Sequence, residues 1–322
     1  MKKKRIFITT VLRASLDENI TGYLMELDFA AKRVIKKIPI PKPDKGSLFW
    51  NPRGGDRGGR GLFYFDGILY VCTATSILKF DTNLNLIGKI HNKKLGGLHS
   101  LHVDKEGITV TSTIHDLILT LDLNGKETRS WLGSQSPYLQ KRFNYKSRNL
   151  DFVNYKWKNS PKAYKDYFDS ERLHLNFVDK YKGNIYAFAR RQGALINISC
   201  DPERVIIANP NRLAAPHDGQ FTPDGNIIVN ETGRQRIFLY GTNGKVKKII
   251  NTKLYGKEIS RQFARAGWQR GLTHLSGNTY LVGTSPLTVF AVDVKQSKIK
   301  RVYNISNEVH HCVFGICVAK DF

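Results

Sequence analysis

Three histidines stand near the start of three apolar runs that lie far apart in the chain. They are His99 in GGLHSLHVD (96–104), His174 in RLHLNFVD (172–179) and His217 in APHDGQF (215–221). Three imidazoles brought together from separate segments would suit a divalent metal such as zinc, iron or manganese, with positions left open for water or substrate. An ion so held would polarise a carbonyl or lower the pKa of bound water. The plainer alternative is three separate histidines, each hydrogen-bonded along a wet channel. Arg60 and Arg270 each precede Gly-Leu, and two such guanidiniums would hold a carboxylate, sulfate or phosphate in bidentate fashion. Glu231, in NETGRQ, is the carboxylate expected to serve as general base or fourth ligand. His115, as a second catalytic candidate, and Arg190, as a further anion contact, fall in loops expected at the same place, with Arg191, His310 and His311 nearby.

Those residues can meet only if the chain repeats. Five stretches, 60–90, 98–131, 173–207, 216–250 and 270–303, share one pattern of four short β-rich runs separated by Asp-Gly, Ser-Gly or Asn-Gly turns. Almost nothing has helical periodicity. Four strands per repeat is the pattern of propeller blades. The end, HCVFGICVAKDF (311–322), supplies one inner strand, and IFITTVL (6–12), GYLMELD (22–28) and RVIKKIPI (33–40) supply three more. Sharing one blade between the two ends closes the ring and removes sheet edges. The expectation is an all-β fold over residues 1–322, a six-bladed β-propeller in one domain. Aligning the blades on their first turns puts Gly61, His99, His174, His217, Gly271 and Phe314 in one column at a channel mouth.

Three insertions, 41–59, 132–171 and 251–269, interrupt the repeat where one blade passes to the next, so all three are expected on one face. RGGDRGGR (53–60) can free backbone to wrap an anion. In 132–170, Tyr138, Phe143, Tyr145, Tyr155 and Trp157 alternate with Lys141, Arg142, Lys146, Lys156 and Lys158. That mixture fits either a nucleic-acid surface or a lid that packs its aromatics inward.

The formal charge is +24, with 51 Lys and Arg against 27 acids, which favours anionic partners. A small anionic substrate, an anionic glycan and nucleic acid all qualify, as does plain solubility. Four cysteines, Cys72, Cys200, Cys312 and Cys317, show no metal-binding spacing, and a reduced, cytoplasmic protein is expected. The apolar run after MKKKR is short and alternates with threonine, so it reads as strand and not as signal peptide. No run approaches membrane-spanning length, so no membrane insertion is expected. Serine-hydrolase, Walker and dinucleotide fingerprints are absent from the sequence.

The chain resembles the NHL and SMP-30-like group of six-bladed propellers. More closely, it looks like an uncharacterised bacterial propeller family whose blades carry Ile-His-Asp-Leu, Cys-His-Leu-Asn and Pro-His-Ser elements, followed by Arg-Gly-Leu. The counterparts here are LHSL (98–101), LHLN (173–176), PHDG (216–219) and RGLTHL (270–275). The resemblance implies the fold and the histidine column. It assigns no reaction, although related propellers include metal-dependent lactonases and lyases. Of the Glu/Asn/Asp calcium site in SMP-30-like lactonases, only Asn230 and Glu231 have an echo here. The expected function is a metal-dependent lyase or hydrolase acting on a small anionic substrate, with an acidic polysaccharide as a larger version of that substrate. A non-enzymatic scaffold that binds an anionic polymer or protein through its basic face is the competing expectation.

Overall fold

The computed structural model describes residues 4–13, 20–41, 58–150, 152, 169–208, 216–255, 260–261 and 264–319. These form six four-stranded antiparallel sheets, a β-propeller, plus a two-stranded ribbon at Ser260–Arg261 and Ala264–Arg265. Blade one runs from Leu62–Phe65 through Ile68–Cys72 and Ser76–Asp81 to Leu86–His91. Blades two to five begin with the inner strands Leu98–Asp104, Leu175–Tyr181, Pro216–Phe221 and Arg270–Ser276. Each inner strand touches those of the blades on either side, and the sixth returns to the first.

Closure is as expected. The last strand, His311–Ala319, pairs antiparallel with Arg5–Leu12, with Ile316 opposite Ile8 and His311 opposite Leu12. Tyr23–Asp28 and Arg33–Pro39 complete that blade. Gly315 sits where a β-carbon would lie 2.5 Å from the Arg60 carbonyl oxygen and 2.7 Å from Thr9 Oγ1, so only glycine lets blades six and one meet. Its N–H donates to Thr9 Oγ1 at 2.9 Å, and the Thr9 hydroxyl donates in turn to the Arg60 carbonyl.

Burial follows the strand order. Second strands are covered on both faces and read as apolar or small polar runs; all six residues of GITVTS (Gly107–Ser112) are buried. The apolar side chains gather into one seam per pair of neighbouring blades. Ile8, Leu281 and Val313 join blades five and six, and Leu69, Phe80 and Cys317 join six and one. Each fully buried Leu, Ile or Phe contributes roughly 1.5–3 kcal/mol. Among the described residues the large apolar clusters sit between neighbouring blades, which leaves the inner strands to line a channel.

Outer strands alternate and carry cations at their exposed positions. Arg33–Pro39 reads RVIKKIP, Val246–Asn251 reads VKKIIN and Lys298–Asn304 reads KIKRVYN. Lysine on an exposed edge opposes strand addition by another chain, so part of the charge excess protects sheet edges. No helix among the described residues is long and apolar enough to cross a membrane.

The second insertion begins with the helix Pro137–Phe143, capped by Ser136, whose side chain accepts the Leu139 N–H. Tyr138, Leu139, Phe143 and Tyr145 pack inward on Leu173, Leu175 and Ala194 of blade three. Tyr155, Trp157, Lys156 and Lys158 lie outside the described residues, as does 42–57 of the first insertion.

Candidate functional site

The column residues meet across the channel. The His99 ring centroid lies 5.4 Å from that of His174, 6.4 Å from that of His217 and 5.8 Å from that of Phe314. Each ring has its Nδ1 tied to the surrounding protein, and the partners determine which nitrogen carries the proton. Thr113 donates its hydroxyl hydrogen to Leu175 O, so His99 Nδ1 must be the donor toward Thr113 Oγ1 (2.9 Å) and Gly97 O (2.7 Å). Thr232 likewise donates to Gln269 O, which makes His217 Nδ1 a donor to Thr232 Oγ1 at 3.0 Å. His174 Nδ1 faces the Glu171 carboxylate at 2.6 Å. With Nδ1 the donor in each ring, the neutral form of each leaves Nε2 as the acceptor nitrogen, the tautomer that binds a metal or accepts a proton.

His174 is placed by a device invisible in its own strand. The buried Asp116 carboxylate accepts the N–H groups of Arg172, Leu173 and His174 at 2.6, 2.9 and 2.9 Å. His174 is held at φ +53°, a left-handed conformation that costs a non-glycine residue roughly 1–3 kcal/mol and concentrates at functional sites.

Cations surround the rings. Arg60 donates from Nη1 to Leu98 O at 2.9 Å and is 4 % exposed. Arg270, 8 % exposed, stacks its guanidinium over Phe314 at 4.7 Å. Its Nε and Nη1 have no hydrogen-bond partner among the described residues. Burial, followed by the charges of Arg13, pushes the Arg270 pKa down; Asp218 opposes this, and Arg190 adds to it. Arg13, 2 % exposed, stacks on Trp268 at 4.3 Å. Burial, then Arg60, His174 and Arg270, hold His99 well below the usual imidazole range, so it is neutral at pH 7. Asp218, at φ +55°, accepts the Gly271 N–H on Oδ2 at 2.8 Å, and burial raises its pKa to about 6.

Two proposed catalytic residues are engaged by neighbouring side chains and backbone. Glu231 is fully buried, with Arg236 Nε at 2.7 Å and Arg234 Nη1 at 3.7 Å from its carboxylate. His115 is buried with Nδ1 on Ser112 Oγ (2.9 Å) and Lys94 O (3.1 Å), its ring against Phe152 at 5.1 Å. Asn230, directly opposite His217 in the sheet and fully buried, has neither amide atom partnered among the described residues. A buried amide in that state calls for a polar guest. Arg13, Asp116, Glu171 and Asp218 are additions that the repeat alone does not pick out.

A metal fits the rings in part. Imidazoles sharing a tetrahedral zinc at Zn–N about 2.0–2.1 Å have centroids about 5 Å apart. His99 and His174 come near that spacing, whereas His99 and His217 would have to draw closer. Among the described residues, no group of three His, Cys, Asp or Glu side chains is disposed to hold a metal ion.

No family model and no curated protein matches the chain. Solved structures do match by fold. A protein of unknown function from Bacteroides caccae superposes with TM-score 0.61 at 9 % identity, covering 99 % of both chains. A chain of a nidogen/laminin complex gives TM-score 0.61 at 13 % identity, again over 99 % of both. A streptogramin B lyase gives TM-score 0.47 at 12 % identity, over 81 % of this chain and 87 % of that one. The first two likenesses agree with the six-bladed propeller and concern the fold alone.

Proposed function

We propose that this propeller is an enzyme, a lyase or hydrolase, that acts on a small anionic substrate bound at one mouth of its central channel. Arg270 carries the proposal: a buried guanidinium with two nitrogens unpartnered among the described residues, next to further arginines, is costly to the fold and suited to a bound anion. Arg60 and Arg190 are proposed as further contacts. His99, His174 and His217 are proposed to hold a divalent metal through Nε2, which would supply Lewis-acid activation of the substrate. Their tautomers favour that role. The insertions 41–59, 132–171 and 251–269 are proposed to shelter this mouth, and the NHL/SMP-30-like grouping belongs to the same proposal.

The test combines stability with ligand response. Arg270→Met should raise the thermal midpoint of the ligand-free protein, because it replaces an uncompensated buried charge with an apolar side chain. The same variant should lose the midpoint shift that small carboxylates or phosphates give the wild type. A purely structural arginine predicts the reverse: lower stability and an unchanged response. The scaffold reading would then lead, with salt-dependent polyanion binding as its assay.

A further inference from the structure

The inner strands that start at the histidine mouth end at the opposite one, and that end is hollow. A cavity of about 410 Å³ opens there, bounded by all six blades from Phe63 in blade one to Val318 in blade six. A narrower space of about 170 Å³ shares Gln220 and Thr273 with it and reaches inward to Asp218 and Gly271. Part of the wall is aromatic and fixed: Tyr181 and Phe221 stack at 4.5 Å, and Phe63 lies against the His102 ring at 4.9 Å.

Both formally charged residues of the cavity lining are engaged within the protein. Asp179 accepts His102 Nδ1–H and the Lys180 N–H on Oδ1, each at 2.9 Å, and the Phe221 N–H on Oδ2 at 3.0 Å. Lys180 Nζ donates to Asp104 at 2.9 Å and to Glu106 at 3.4 Å. The groups left open are neutral. With its Nδ1–H on Asp179, the neutral His102 ring keeps Nε2 as an acceptor, and Asp104 Oδ2 at 3.9 Å is beyond hydrogen-bond reach. Gln220 Oε1 accepts the His274 N–H at 3.1 Å, which orients the amide and leaves its NH₂ to donate. Thr273 adds a hydroxyl that has no partner among the described residues and can both donate and accept.

We propose that this second mouth binds a neutral polyhydroxylated ring, the pyranose of a monosaccharide or glycoside, with hydroxyls on His102, Gln220 and Thr273 and C–H groups on the aromatic wall. A hydroxyl donates and accepts at once, so one kind of group satisfies a ring nitrogen, an amide NH₂ and a threonine together. A charged guest would enter a wall whose own charges are already matched, and a purely apolar one would leave three polar groups without partners. The volume lies within the range of small-molecule sites, roughly 300–1,000 Å³. The proposal stands apart from the anion reading of the other mouth.

Isothermal titration of the full-length protein at pH 8 tests it with the methyl α-glycosides of glucose, galactose and mannose, with myo-inositol, and with cyclohexanol as the apolar ring. At least one glycoside should bind, and cyclohexanol should bind at least tenfold more weakly. Thr273→Val keeps the shape and removes the hydroxyl; it should weaken the glycoside about fivefold. His102→Asn keeps an N–H for Asp179 and removes the acceptor nitrogen, with a similar loss expected; should it fold poorly, Thr273→Val decides alone. Binding by inositol alone would overturn the pyranose assignment. No binding by any glycoside, equal binding of cyclohexanol, or glycoside binding untouched by Thr273→Val would overturn the site.

Discussion

The Glu171 carboxylate accepts the His174 Nδ1–H at 2.6 Å, within a turn that Asp116 ties down by three backbone N–H groups. A carboxylate behind an imidazole fixes ring orientation and raises the basicity of the other nitrogen, and its loss typically costs 10–100-fold in metal affinity. Glu171→Ala should weaken zinc or manganese binding by about that factor. Glu171→Gln, which keeps an acceptor oxygen, should fall between. His91→Ala is the control, since His91 ends the outer strand of blade one, far from the inner strands in the blade order. Metal titration of untagged, chelator-treated protein decides the matter. If Glu171→Ala binds as the wild type does, or the wild type binds no metal, the metal role of the three histidines is lost.

Acid sensitivity has a definite window. Burial holds the imidazoles of His115 and His311 down to about 4. In the unfolded chain both protonate near 6.5, so between pH 6.5 and 4 the unfolded state binds more protons. Their contribution is complete above pH 6.5 and is lost as pH falls toward 4, on the order of 3 kcal/mol for each. Asp218, raised to about 6, works in the opposite direction, since its contribution shrinks as pH rises from about 4 to 6. His115 and His311, with His99 acting in the same direction, outweigh one carboxyl. Urea midpoints of the wild type should therefore drop between pH 6.5 and 4.5. The double variant His115→Asn, His311→Asn should lose much of that slope, and an unchanged slope would contradict the assignment.

The fold could be read because each blade is a local meander with its own turns. The leftover strand at one end also matched three strands at the other. The column could be read because inner strands start in equivalent places, and His99, His174 and Phe314 do meet. What escaped depends on contacts between distant segments. Arg13 reaches the mouth from the first strand of the chain, and Asp116 in blade two sets the backbone before blade three. Glu231 is instructive in another way. The hairpin ETGRQR places it directly opposite Arg236, so the short sequence itself signals a cross-strand ion pair before any catalytic role.

Gly315 offers a sharp packing test. A methyl group there would meet the Arg60 carbonyl oxygen at 2.5 Å, and backbone cannot swing aside as a side chain can. Gly315→Ala should cost roughly 2 kcal/mol or more and displace Arg60 from the mouth. Gly88→Ala, which meets only the Lys79 side chain at 3.5 Å, should be close to neutral. Equal urea midpoints for the two variants would show that the blade six to blade one contact is looser than its geometry implies.

Ring closure itself is the last test. All nine residues of His311–Ala319 are buried, and they serve both seams of blade six: Val313, Ile316 and Val318 on one side, Cys317 and Ala319 on the other. Deleting 311–322 should therefore abolish cooperative unfolding, because it strips the inner strand and exposes two seams at once. A circular permutant separates that effect from mere shortening. Ala319 pairs with Arg5, so a short flexible linker can join the old ends. New ends can be opened at the exposed turn Asp66–Gly67, where nothing lies within 4 Å of a β-carbon on Gly67. The permutant keeps every strand and every seam and should unfold cooperatively near the wild-type midpoint. A deletion variant that unfolds as the wild type does, or a permutant that fails to fold, would mean that the ring does not depend on the last strand pairing beside the first.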